Sequence, residues 1–132
     1  MRTTECVTTN TPWGKADMVT RYVKGVNFYN TPGHGGFKLS ESVNRLIPVR
    51  MRCNSFAGLG LKGWYEEDCD WAIVVAVLSG IEGFELAFDT KEIAQAHESL
   101  QHYMPSEYSD WASNQKLRQH ARGSTHVDII TF

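Results

Sequence analysis

The sequence predicts an α+β fold, with a small antiparallel sheet packed by two to four helices. Residues 19–31 contain two stretches in which apolar and polar side chains alternate, as in strands. Residues 90–104 repeat apolar side chains at helical spacing. Strands and helices alternate too little for a doubly wound parallel sheet. The 132 residues are enough to bury a core and are predicted to form a single domain.

The amino-terminal third predicts the strands. Residues 1–10 are polar, rich in threonine and without a packing period, which predicts an arm or an edge strand. A β-hairpin follows over residues 19–31, because Lys24 and Gly25 separate the two alternating stretches. Glycine can adopt the positive φ that such a two-residue connection requires.

The middle of the chain predicts a short helix, a loop and a buried element. Ser40 can cap a short helix that must end before Pro48. Residues 54–63 contain many small turn residues and predict a loop. The apolar run over residues 71–78 fits a buried strand or a buried helix. The four carboxylates just before it favour a helix over residues 66–79, because acids stabilise a first helical turn.

The strongest helix signal lies between Asp89 and Pro105. Asp89 and Glu92 resemble a capping box, and the apolar residues that follow fall on one helical face. Residues 111–132 form a polar and basic tail. Its last stretch, residues 127–132, alternates in a way that predicts a final strand of the sheet.

The composition narrows the classes of function. A formal net charge of −2 argues against broad nucleic-acid binding, and it is too small for an acidic mimic of DNA. Three widely spaced cysteines without a C-x-x-C pair do not suit a disulfide framework or a cysteine zinc site. No charged-then-apolar leader opens the chain, and its longest apolar run is too short to span a bilayer. We therefore expect a cytoplasmic protein without a membrane partner.

The first candidate for chemistry is His34, in the stretch "TPGHGG". Its imidazole could act as a general base, a metal ligand or a hydrogen-bond donor. Gly35 and Gly36 could let the backbone approach another group closely, or present N–H groups to an anion. The alternative is structural, with His34 capping a backbone carbonyl at a tight corner.

The second candidate is the acidic stretch formed by Glu66, Glu67 and Asp68. Successive helical residues project about 100° apart, so at most two of these acids can converge on a site. Together with His34 they could hold a divalent metal, and the sequence indicates no other cofactor. The alternative is that they stabilise a helix start. Cys69 is disfavoured as a nucleophile because neighbouring carboxylates raise the thiol pKa.

Four motifs in order resemble a domain family of unknown function that occurs in phages, plasmids and integrated mobile elements. They are "TPWG" at residues 11–14, "TPGHGGFKLS" at 31–40, "GWYEEDCDWA" at 63–72 and "SLQHYMPSEY" at 99–108. The resemblance implies a mobile-element origin and interference with host defence or host machinery. It also joins the glycine turn to the acidic stretch, which implies a candidate site made of His34, Gly35, Gly36, Glu66, Glu67 and Asp68.

The sequence departs from the family pattern in two places. "VLSGIEGFELAF" follows the apolar run where the family usually has a phenylalanine-proline step, and the tail over residues 111–132 has no recognisable counterpart.

Two function hypotheses follow, and a purely structural module is a third. In the first, a small phage or mobile-element accessory protein inhibits a host protein by direct binding. Aromatic and basic tail residues would form its contact surface, unless they are a solvated helix face: Trp111, Lys116, Arg118 and Arg122. In the second, a small hydrolase or transferase uses His34 as base with an acidic partner, with or without a metal. The sequence does not decide whether the protein is an enzyme.

Overall fold

The described residues form a five-stranded antiparallel sheet and six helical segments, and the predicted α+β class is confirmed. A computed structural model describes residues 2–127, with side-chain surroundings described up to Leu117. The strands are β1 (Thr3–Thr11), β2 (Gly14–Val23), β3 (Val26–Asn30), β4 (Gly35–Leu39) and β5 (Trp64–Glu66). The helices are α1 (Glu41–Asn44), α2 (Val49–Cys53), a 3₁₀ helix (Phe56–Lys62), α3 (Trp71–Leu78), α4 (Thr90–Tyr103) and α5 (Pro105–Val127).

The strands follow one another in the sheet in chain order, from β1 to β5. The predicted hairpin is confirmed as β2 and β3, and Gly25 in its connection has a φ of +87°. Alternate side chains of the strands face the helices, and those of Val26, Phe37, Leu39 and Tyr65 join the core cluster.

Within the polar stretch at the amino terminus, the described residues from Thr3 onward form an edge strand, which is one of the two predicted alternatives. From Thr3 onward they belong to β1, which pairs with β2 in antiparallel register, with Thr3 opposite Arg21. An irregularity between Cys6 and Thr9 interrupts this register. The strand is stable in spite of its polar sequence because threonine suits an extended backbone.

The apolar run is the central helix α3, as predicted, and residues 72–78 are all buried. The predicted helix start at residue 66 is wrong. Glu66 ends β5, and its carboxylate accepts the backbone N–H groups of Asp68, Cys69 and Asp70 at 2.6–2.7 Å. These bonds close a turn between strand and helix, so the acids precede α3 instead of occupying its first turn.

Residues 54–63 are not the predicted loop, because most of them form the 3₁₀ helix. Ala57 and Gly58 adopt left-handed φ values of 54° and 66° inside it. These values are not helical, so the segment consists of short 3₁₀ turns joined by a kink rather than one continuous helix.

Helix α4 packs on α3, and α5 packs on α4. The side chains of Asp89 and Glu92 form the predicted capping box at the start of α4. Pro105 is the first residue of α5. The N–H group of a first helical residue has no partner within the helix, so its absence in proline costs no hydrogen bond. The predicted last strand over residues 127–132 lies outside the described residues, except for Val127, which belongs to α5. No helix in the described range 2–127 is long and apolar enough to cross a membrane.

Candidate functional site

The turn that carries His34 is closed by Thr31. The Thr31 hydroxyl oxygen accepts the His34 N–H at 2.9 Å, and the Thr31 hydroxyl and N–H donate to the His34 carbonyl, each at 2.7 Å. His34 itself is exposed. Its ring makes no hydrogen bond to any residue of the described range, so the imidazole does not brace this corner.

Gly35 and Gly36 lie in strand β4, where both are buried. A Cβ on Gly36 would lie 2.5 Å from the Tyr65 carbonyl oxygen and would overlap the Trp13 indole, and one on Gly35 would lie 2.9 Å from the Tyr29 carbonyl oxygen. Both glycines therefore permit close packing across a strand. That they bind an anion stays a prediction.

Pairing of β4 with β5 brings the glycine segment beside the acidic stretch, as the resemblance implies. Gly36 lies opposite Glu66, and the Glu67 N–H donates to the Gly35 carbonyl at 2.9 Å. The Glu66 carboxylate is held by the three turn N–H groups, whereas Glu67 and Asp68 are exposed. Within the described chain no carboxylate pairs with a ring nitrogen of His34.

The described residues contain no group of three or more histidine, cysteine or acidic side chains that could hold a metal ion. Burial and the neighbouring carboxylates of Glu66, Asp70 and Asp68 raise the pKa of Cys69, which suppresses its thiolate.

The motifs at residues 11–14, 31–40 and 63–72 meet on the sheet face that points away from the helices. Trp13 and Trp64 pack edge to face, with ring centroids 5.6 Å apart, and Tyr29 lies 5.8 Å from Trp64. We call these three residues the sheet-face aromatic cluster. Lys38 covers it, with its Nζ 5.4 Å from the Trp64 ring centroid. The Trp13 indole N–H is buried and has no hydrogen-bond partner among the residues described.

The motif at residues 99–108 contacts the motif at residues 63–72 through the buried carboxylate of Asp70. Asp70 is 0% exposed, and it accepts the Tyr103 hydroxyl and the Phe56 N–H, both at 2.8 Å. Burial raises the pKa of Asp70 above its ordinary value, although both hydrogen bonds favour the ionised form. Asp70 thus joins the 3₁₀ helix, α3 and α4, which is a structural role.

A different kind of surface lies on the helical side of the protein. An open groove of about 1060 Å³ runs between residues 45–52, the end of α3 and the first half of α5. We call it the helical groove. Leu46 and Val49 line it and are 44% and 56% exposed, and Ile81 and Trp111 contribute further apolar surface. Exposed and partly buried apolar side chains from three segments of the chain therefore line the same groove.

The charges of the helical groove are separated by segment. Three arginines come from the segment 45–52 and three acids come from the other walls: Arg45, Arg50, Arg52, Glu82, Glu107 and Asp110. Arg50 and Asp110 form an ion pair that links α2 to α5. The groove is therefore lined by apolar side chains, by basic residues of one segment and by acidic residues of the other segments.

Trp111 is held in the groove by residues that the sequence analysis did not select. His97 Nδ1 is 2.8 Å from the Tyr108 hydroxyl oxygen, and both rings lie 5.7 Å from the Trp111 ring. Burial lowers the pKa of His97, which favours the neutral imidazole. Spacing on the apolar face of α4 is the sequence signal that could have identified it.

The predicted contact residues of the tail are divided between surfaces. Trp111 lines the helical groove, whereas Lys116 lines a shallower depression with Pro105 and Tyr108. Arg118 and Arg122 lie in α5, and their side chains are outside the described part. Sequence analysis missed the segment 45–52, where arginines alternate with apolar residues.

These features define a small α+β domain with an open helical groove. The chain belongs to the family described as domain of unknown function DUF7007, whose model matches residues 6–128. No curated protein and no solved structure is significantly similar to it. Membership in a domain family of unknown function is thus confirmed, whereas a phage or mobile-element origin stays a prediction.

Proposed function

We propose that the protein is a binding module that takes a segment of a partner protein into the helical groove. The observation that carries this proposal is the exposure of Leu46 and Val49 opposite the fixed indole of Trp111. A partly buried tryptophan beside arginines is typical of the residues that dominate binding energy at protein interfaces.

The groove favours an amphipathic helix as the bound segment. Its apolar face would cover Leu46, Val49 and Trp111, as in helix-in-groove recognition. Acidic side chains of the bound helix would lie beside the arginines of segment 45–52. Its basic side chains would lie beside Glu107 and Glu82. Complementary charge on the two sides would set the direction in which the helix lies.

The groove is also partly organised before binding. Contacts with His97 and Tyr108 hold Trp111, and the ion pair between Arg50 and Asp110 ties two walls together. Side chains that are already ordered lose less conformational entropy on association.

The biological role that we propose is inhibition of a host protein, within a phage or mobile element. The family resemblance of the four motifs supports this role, and the protein would act in the host cytoplasm. Direct binding would block the host protein, without a chemical step.

A photo-crosslinking experiment tests the proposal. A photoreactive residue replaces Val49 in one protein and Leu86 in another, because Leu86 is 99% exposed but does not line the groove. We expect one host protein to crosslink from position 49 and not from position 86. Val49→Glu should abolish host interference, and the matched variant Leu86→Glu should retain it. Full interference by Val49→Glu together with Leu46→Glu would contradict the proposal.

The second candidate function is the small hydrolase or transferase with His34 as base. The observation that favours it is the hydrogen bond between Glu67 and Gly35, which holds an exposed acid and an exposed imidazole in adjacent backbone segments. His34→Ala and Glu67→Gln should then each remove the host effect without changing the melting temperature. Retention of the effect in both variants would exclude this candidate.

A further inference from the structure

The ion pair between Arg50 and Asp110 joins two walls of the helical groove. Arg50 belongs to the segment 45–52 and Asp110 belongs to α5, and both residues line the groove. Neither residue is at an end of its wall, because the lining residues run from 45 to 52 on one side and from 107 to 115 on the other. A partner segment that lies between these walls therefore meets the pair.

The pair lies on the solvent side of the groove. The side chains of Arg50 and Asp110 are 55% and 61% exposed, whereas Trp111 next to them is half-buried and packs against the core. The two charged groups thus span the groove above its apolar lining. In the free protein they cover part of the apolar surface that we propose binds a partner.

This contact is easy to open. Within the described residues, the Arg50 guanidinium donates to the Asp110 carboxylate, and neither group has another polar partner. Exposed ion pairs contribute little to stability, because water solvates both charges well and ordering two side chains costs entropy. Opening the pair therefore breaks no further hydrogen bond of the described chain.

Arg50 is the groove arginine whose described partner lies on the opposite wall. Arg45 donates to Glu41 at 3.2 Å, four residues earlier in the chain. Arg52 donates to the Ile47 carbonyl at 2.9 Å. Both contacts are local, so opening the groove changes the surroundings of Arg50 and leaves those of the other two arginines as they are.

We propose that this ion pair is a strap across the helical groove, and that a carboxylate of the bound helix opens it by replacing Asp110 on Arg50. The inference rests on the proposed function and specifies its partner, which carries an acidic side chain beside its apolar face. Asp110 returns to water when the strap opens, because it lies at the surface. No buried charge is left without a partner, which would otherwise oppose the exchange.

Binding of an apolar anionic dye, anilinonaphthalene sulfonate, to the purified full chain tests the strap by fluorescence titration. Asp110→Asn removes the strap and keeps Arg50 for the anion. We expect this variant to bind the dye about fivefold more tightly than the wild-type protein, the effect of opening a weak exposed ion pair. Arg50→Gln removes the strap and the cation together, and it should bind the dye no more tightly than the wild-type protein.

Glu107→Gln is the matched control. Glu107 also lines the groove from α5 and forms no ion pair with the described residues, so its loss changes the net charge equally without opening a strap. An Asp110→Asn variant that binds the dye no more tightly than Glu107→Gln would overturn the inference. Adding Val49→Glu to Asp110→Asn should weaken dye binding. Unchanged affinity would also overturn the inference, because the dye would not enter the opened groove.

The strap and the proposed function can fail separately. Crosslinking of the host protein from position 49 should give a higher yield in the Asp110→Asn background than in the wild-type background. An equal yield would support the groove as a binding site and overturn the strap. Tighter dye binding by Asp110→Asn without any crosslink in either background would support the strap and contradict the proposed function.

Discussion

The sheet-face aromatic cluster and the helical groove each contain tryptophan, and they are built in opposite ways. In the cluster, Trp13 lies so close to Gly36 that the glycine has no room for a side chain. In the groove, Leu46 and Val49 remain substantially exposed next to Trp111. One surface is filled by the protein's own side chains, and the other is an open groove.

The difference teaches that the unusual sequence motifs of this fold mark tight packing, whereas ordinary residues form its open groove. The tryptophans and paired glycines are the most unusual residues of the motifs, yet most of them pack closely between strands. The groove consists of ordinary leucine, valine and arginine residues, whose individual positions are unremarkable in the sequence. The groove that we propose binds a partner is made of ordinary residues that the fold places together.

The largest effect is expected from Gly36→Ala, which breaks the sheet-face aromatic cluster. The new Cβ would overlap the Trp13 indole and lie 2.5 Å from the Tyr65 carbonyl oxygen, and backbone cannot move away freely. We expect the free energy of unfolding in urea to fall by about 2–3 kcal/mol, the upper range for overpacking.

Gly33→Ala is the matched control, because a Cβ there meets no atom within 4 Å. It should change the free energy of unfolding by less than about 0.5 kcal/mol. Equal stability of both variants would mean that the cluster is not tightly packed.

An intermediate effect is expected from His97, which supports the helical groove. Burial lowers its pKa in the folded protein, so below about pH 6.5 the unfolded chain binds a proton that the folded chain resists. Stability should therefore be complete above that pH and should decrease as the pH falls through it. Unfolding in urea between pH 8 and pH 5 measures this slope.

His97→Gln should reduce the slope, and the wild-type protein is its reference at each pH. Asp70 acts in the opposite direction, because its raised pKa lets the folded protein bind a proton first as the pH falls. Since Asp70 is unchanged in the variant, the difference between the two proteins isolates His97. Identical slopes would show that His97 is not protected from protonation.

The smallest effect on stability is expected from His34→Ala. The exposed imidazole makes no hydrogen bond to the described residues, and Thr31 closes the turn without it. The free energy of unfolding should change by less than about 0.5 kcal/mol, as measured in urea. Thr31→Ala, which removes the hydroxyl bonds of the same turn, should destabilise more than His34→Ala. A loss of several degrees in the melting temperature of His34→Ala would assign the imidazole a bracing role.

Sequence patterns that span only a few residues predicted much of the fold correctly. The hairpin around Gly25, the cap at Ser40 and the capping box of α4 are all present as the sequence predicts. Each depends on φ preferences or on hydrogen bonds between residues close in the chain, and those forces act in any context. Burial of α3 likewise follows from a run that is apolar on every side.

Contacts between distant segments decided the rest. Glu66 closes a turn instead of starting a helix because β5 pairs with β4, and no local pattern encodes that pairing. Gly36 is required because of Trp13, which lies more than twenty residues earlier. The helical groove joins residues 45–52 to Trp111. Packing of remote side chains depends on the whole chain being folded, and for that reason only the tertiary structure could place the surface that we propose binds a partner.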